Sequence, residues 1–127
     1  MKYNKNFNSG YSNILPQKNY VMQISTIQAI DQLKTSGAFF QTLFQHGSLS
    51  VEIYKPIEKD HQQPHTRDEV YIIISGTGTF FNHDKEYTFK PGDFLFVAAG
   101  VEHHFENFTE DFITWVIFYG PEGGEYN

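Results

Sequence analysis

From residue 38 onward the chain alternates apolar and polar positions with a period of two. In Ser48–Lys55, Leu49, Val51 and Ile53 fall on one face and Ser50, Glu52 and Tyr54 on the other, the pattern of a β-strand. Ala38–Gln45 reads as its partner, joined around His46-Gly47, and Pro56 ends the pair because it has no amide for the ladder. A polar connection over 57–68 leads to the apolar run Val70–Ser75, and Gly76-Thr77-Gly78 then permits a tight turn. Thr79–Asn82 and Glu86–Lys90 read as a hairpin around His83-Asp84-Lys85. Pro91-Gly92-Asp93 turns the chain into Phe94–Ala98, and His103–Glu106 and Phe112–Tyr119 complete the set. Short strands broken at Gly, Pro, Asn and Asp predict an all-β sandwich or barrel.

Ahead of the strands the pattern differs. Ser25–Lys34, STIQAIDQLK, predicts a short helix capped by Ser25 or Thr26 and ended by Gly37, with Ile27, Ile30 and Leu33 marking one side. That helix should cover one face or end of the barrel. Residues 1–20 have no period and read as an arm or loop: a disordered tail or, on account of Tyr3, Phe7, Tyr11 and Tyr20, an arm packed on the barrel or on a partner subunit. The resulting organisation is an N-terminal arm (1–20), one barrel domain (21–120) and a C-terminal tail (121–127).

Composition sharpens this picture. With 127 residues the chain is long enough for one real core and short for two. Thirteen Phe and eight Tyr favour pleated faces. A net charge of -6, with nine Lys and Arg in total, argues against a nucleic-acid surface, which needs clustered cations to neutralise phosphates. The absence of cysteine excludes disulfides and thiolate chemistry. No apolar run suits a signal peptide or a membrane span, so the cytoplasm is the expected location.

Candidate chemistry concentrates in two stretches, His61–Gly76 and Pro91–Asn107. On an extended segment His65 and Glu69 face the same way, so an imidazole and a carboxylate could approach one centre. His103 in the second stretch would bring a third donor. Such nitrogen and oxygen donors suit Fe, Mn, Zn, Ni or Co. Taken alone, a His and a Glu four apart read first as a solvated, hydrogen-bonded pair. The glycine patterns of dinucleotide and phosphate loops and the serine elbow of hydrolases are absent.

Together, the two stretches resemble the motifs of the cupin superfamily, in particular its small single-domain members. The first motif runs G, five residues, H, any residue, H, three or four residues, E, six residues, G. Its second histidine falls on His65, its glutamate on Glu69 and its closing glycine on Gly76. The second motif runs G, five residues, P, any residue, G, two residues, H, three residues, N, and matches Gly92, Gly100, His103 and Asn107. Ile57 stands where the first motif has its opening glycine and Gln63 where it has its first histidine, while Ala98 replaces the proline of the second motif.

The resemblance implies a jelly-roll barrel, a double-stranded β-helix with a short N-terminal helix, and one divalent metal ion. It further implies the metal ligands His65, Glu69 and His103, with the Gln63 amide as a weaker additional donor or His61 in its stead. A small-molecule ligand and a homodimer belong to the same expectation. The implied functions include an oxygenase or isomerase acting on a small organic substrate and a non-catalytic binding or sensing module; a metal-free barrel built for assembly stays open as well. Tyr54, Glu52, Tyr71, Phe81, Phe94, Phe96, Phe105 and Trp115 are expected to line the cavity or pack in the core, and Tyr71 and Phe105, which share parity with Glu69 and His103, are the foremost cavity candidates. Arg67 and Asp68 read as a surface pair or a turn contact, and Asp68 could alternatively fix the loop. His104 should point away, Asn107 should hold loop backbone, and His46 and His83 should sit at solvent-facing turns.

Overall fold

The computed structural model describes residues 22–126; the arm expected over residues 1–20 lies outside them. Helix α1 spans Thr26–Ser36. Ser25 caps it in a capping box: its hydroxyl accepts from the Gln28 amide, and the Gln28 side chain accepts from the Ser25 amide. Gly37, at φ 71°, closes the helix in the left-handed region. The buried side is Ala29 and Leu33, four residues apart, whereas Ile27 is 72% exposed. Leu33 of the expected face is thus buried and Ile30 packs against the same cluster, and only the placement of Ile27 is corrected. The methyl group of Ala29 lets the helix approach the sheet closely, and Ile27 lies to the other side of that seam.

The strands are β1 (Phe40–His46), β2 (Leu49–Tyr54), β3 (Asp68–Ser75), β4 (Gly78–Asn82), β5 (Lys85–Phe89), β6 (Phe94–Val97), β7 (His103–Glu106) and β8 (Ile113–Tyr119). Each corresponds to a run read from the alternation, with ends moved by up to two residues. They form two antiparallel sheets, a five-stranded one ordered β1-β2-β8-β3-β6 and a three-stranded one ordered β5-β4-β7. This is the cupin-like jelly roll expected from the motifs.

Register assigns the two faces of the larger sheet. Glu69 pairs with Phe118, Tyr71 with Val116, and Glu52 with Val116 from the other side, so these side chains share the inner face. Ile53 pairs with Trp115 on the outer face, where Ala29 and Leu33 of α1 cover them together with Ile74 and Ile113. A bulge between Thr42 and Phe44 adds Leu43 to that cluster. Between the sheets lies a ring-rich core, including Tyr71, Phe80, Phe89, Phe105 and Phe112. Edge contacts such as Tyr71–Phe105, with ring centroids 4.9 Å apart, lock it.

Gly76 ends β3 at φ 88°, and a Cβ there would stand 2.5 Å from the Phe112 Cα. Glycine at this motif position is therefore needed for both conformation and space. The C-terminal segment forms no strand or helix, but it is held: the Gly123 amide donates to the Thr66 carbonyl and the Glu125 amide to the Asp68 carboxylate.

Candidate metal centre

Three side chains expected from the motifs come together. The donor atoms of His65, Glu69 and His103 all lie within 4.8 Å of one another. Glu69 projects from the inner face of β3, between Val97 of β6 and Phe118 of β8. His103 begins β7 in the opposite sheet. His65 precedes β3 on the connection from β2.

Backbone contacts set these positions. The Gly100 amide donates to the His65 carbonyl at 2.7 Å, joining the two motif segments directly. Asp68, 4% exposed, accepts from the Ala99 amide at 3.0 Å and the Glu125 amide at 2.8 Å, so it fixes the loop leading to His103. Of the readings open for Asp68, loop fixation is the one the structure takes. Arg67 donates instead to the Ser48 carbonyl.

Glu69 carries the electrostatic argument. Its side chain is 1% exposed, and neither carboxylate oxygen has a hydrogen-bond partner. Burying an ionised carboxylate costs several kcal/mol unless a cation or donors compensate it. His103 Nδ1 faces the Val101 carbonyl at 2.9 Å, so in the neutral ring Nδ1–H donates there and the Nε2 lone pair faces Glu69 Oε1 at 3.1 Å. His65 Nε2 lies 3.9 Å from Glu69 Oε2. Burial alone would push the His103 imidazole down, but the Glu69 carboxylate and the Val101 carbonyl outweigh it and hold it above the usual range. The centre thus favours positive charge.

A proton on His103 answers only one of the two Glu69 oxygens, whereas one cation answers both. Donors bound at about 2.0–2.2 Å to one ion stand about 3 Å apart when adjacent. The cluster fits a divalent ion by donor type, spacing and charge.

The fourth expected donor is placed elsewhere. Gln63 is exposed and takes no part in the cavity wall, and Gln62 reaches the centre instead. Gln62 Oε1 accepts from the Tyr71 hydroxyl at 2.8 Å and lies 3.3 Å from His65 Nε2. The reason lies in the backbone. Glu58 has φ 66° and Ile57 bridges to Lys59, so the segment is folded and alternation does not carry through it. His61, the other candidate, is exposed and lines the cavity but is not part of the three-residue cluster.

The cavity beside the centre measures about 470 Å³. Phe39, Phe40, Tyr54, Val116 and Phe118 give it apolar walls, while Glu52, Lys59, His61 and Gln62 join His65 and Glu69 in lining it. Burial raises the Glu52 carboxyl above its ordinary value, and Glu69 adds to this against the Thr42 hydroxyl. Tyr71 is raised as well, by burial and then by Glu69. Tyr71 brings only its hydroxyl to the centre, 3.1 Å from His103 Nε2, and Phe105 lies in the core beneath it. His104 points away and bonds Glu106, while His46 is exposed at the end of β1 and His83 at the turn between β4 and β5. Asn107 closes β7 in the left-handed region. Sequence reasoning passed over Asp60, which accepts from the Tyr54 hydroxyl, the Gln62 side chain and the Phe105 amide. An acidic residue in a polar loop carries no signal of such a role.

The chain matches the Cupin domain family model over residues 50–119. An uncharacterized protein of Streptomyces coelicolor is 32% identical over 94 residues, covering 72% of this chain and 89% of that protein. The acireductone dioxygenase of Bacillus velezensis is 37% identical over 59 residues, which are 42% of this chain and 32% of the enzyme. Among solved structures, a protein of unknown function from Rhizobium leguminosarum superposes with a TM-score of 0.63 at 16% identity, covering 80% of this chain and 99% of that one. No helix among the described residues is long and apolar enough to cross a membrane.

Proposed function

The chain belongs to the cupin-domain family, and on that premise we propose that it is a mononuclear metal-binding cupin. In this reading His65, Glu69 and His103 hold one divalent ion, and the protein acts on a small organic substrate as an oxygenase or isomerase. The observation that carries the reading is the buried Glu69 carboxylate, unpaired at both oxygens and faced by two imidazoles. The aligned segment of acireductone dioxygenase supports the oxygenase branch.

A bound ion would supply a Lewis-acid or redox centre with positions left for substrate. The remaining work falls to the chain. Phe40, Tyr54 and Phe118 give the cavity apolar walls that suit a small, partly apolar or aromatic substrate. Glu52, held toward its neutral form by burial, is the cavity carboxylate that can carry a proton to or from that substrate. His103 keeps its Nε2 lone pair directed at the centre through the bond from Nδ1 to Val101. A homodimer belongs to the same reading: β6 is an edge strand whose Phe94 and Phe96 are 61% and 43% exposed, and sedimentation equilibrium tests it.

The test is elemental analysis of anaerobically purified protein beside His65→Ala and His103→Ala, followed by O₂ uptake and turnover with small keto and hydroxy compounds. One metal per chain, lost in both variants, supports the site, and equal metal content in all three proteins removes it. Full occupancy without turnover would leave a binding or sensing module.

A further inference from the structure

We propose that Gln62 is the fourth ligand of this ion, in place of the first histidine of the family motif, and that Asp60 orients it. The inference rests on the metal reading above and adds a donor that the motif does not assign. Gln62 Oε1, His65 Nε2, Tyr71 Oη, His103 Nε2 and Glu69 Oε1 form a chain of neighbours at 3.3, 2.8, 3.1 and 3.1 Å, taken as His65–Gln62, Gln62–Tyr71, Tyr71–His103 and His103–Glu69. The amide oxygen therefore looks onto the same space as the three cluster residues.

The direction of the amide is set by its other end. Gln62 Nε2 donates to Asp60 Oδ2 at 2.9 Å, and the Gln62 backbone amide donates to Asp60 Oδ1 at 3.2 Å. Asp60 is itself anchored by the Tyr54 hydroxyl at 2.6 Å and the Phe105 amide at 2.8 Å. A flipped amide would set its oxygen against the Asp60 carboxylate, so only the orientation with Oε1 toward the centre is favourable. The Tyr71 hydroxyl takes one lone pair of Oε1, and the second remains for the ion.

A neutral oxygen in place of an imidazole changes metal preference. Two nitrogens and two oxygens are a harder set than three nitrogens and one oxygen. Relative to a three-histidine site, this set narrows the margin by which zinc and nickel outcompete manganese(II) and iron(II). The charge at the centre is unchanged, because both amide and imidazole are neutral. The effect is on selectivity.

The test is direct titration of Mn(II) and Zn(II) into metal-free full-length protein, with thermal unfolding of each metal-free variant as the folding control. Gln62→Leu should weaken Mn(II) binding about tenfold, and Asp60→Asn should weaken it by a similar factor through loss of orientation. Gln62→His should raise the ratio of Zn(II) to Mn(II) affinity by about tenfold or more. Wild-type Mn(II) affinity in a folded Gln62→Leu protein, with binding abolished in His65→Ala, would overturn the role of Gln62 and leave the metal site standing. Unchanged binding in His65→Ala would overturn the site itself.

Discussion

Glu69 and His103 lie on strands of different sheets, yet Oε1 of the one is 3.1 Å from Nε2 of the other. The contact crosses the interior of the jelly roll, so what satisfies Glu69 also ties the sheets together. An ion bound there, as proposed, would therefore link metal binding to fold stability. Addition of a divalent ion to the metal-free chain should raise its unfolding temperature. At a hundredfold excess over Kd the linkage contributes about 2.7 kcal/mol. For a domain of this size that is a shift on the order of 10 °C. Differential scanning calorimetry with and without chelator measures it, and His65→Ala and His103→Ala should abolish the shift.

Glu69→Gln separates the cost of the buried charge from the benefit of the ion. Without metal, wild type holds a carboxylate with no hydrogen-bond partner at 1% exposure. The neutral amide should make the metal-free protein more stable by about 1–3 kcal/mol, the usual penalty of an unsatisfied buried group. The same variant should gain nothing from added metal. Chemical denaturation in chelator and in excess Mn(II) reads both effects, and a destabilised metal-free variant would show that Glu69 is already compensated.

The strands were readable from sequence because their period-two alternation runs into Gly, Pro and Asn breaks, and the motif spacing anticipated which residues of 57–107 meet. His65, Glu69 and His103 follow strand geometry or sit directly beside it, so parity placed them well. Gln62 and Asp60 lie on a folded connection where parity has no meaning. There the left-handed Glu58 shifts which glutamine faces inward. Glu52 was legible as a residue that either lines the cavity or packs in the core, and the structure places it in the cavity wall. Alternation put it on the polar face of β2, and only the docking of α1 over Ile53 on the other face makes the polar face the cavity wall. In the helix, Ile27 satisfied the periodic pattern but lost to Ala29, because close approach to the sheet favours the smaller side chain.

Glu52 makes stability depend on pH in a direction that can be worked out. Its folded-state value is raised above 4.5, chiefly by burial. The folded chain therefore binds more protons than the unfolded chain in the window just above that value. Its favourable contribution is present below the unfolded value and is lost as pH rises through the folded one. Glu52→Gln removes the titration. In chelator the variant should unfold at a higher temperature than wild type at pH 8, and the difference should shrink toward pH 4. A difference of constant size across that range would assign the effect to packing.

Asp68 touches none of the cluster residues' donor atoms, yet it should govern them. Its two oxygens accept from the Ala99 and Glu125 amides, and Ala99 adjoins Gly100, whose amide is bonded to the His65 carbonyl. Removing the carboxylate strands two amides in a part-buried setting and frees the loop that carries the chain into His103. Asp68→Ala should cost about 2–4 kcal/mol of stability, the sum of two hydrogen bonds to a charged acceptor reduced by local hydration. Metal affinity should fall about tenfold, as it does when groups that orient ligands are lost. Asp68→Asn keeps one acceptor oxygen and should lie between wild type and Asp68→Ala in both measurements. If denaturant titration shows the loss in Asp68→Ala while metal affinity stays at the wild-type value, the loop is a structural clamp alone, and the position of His103 is set by the sheet pairing of β7 with β4.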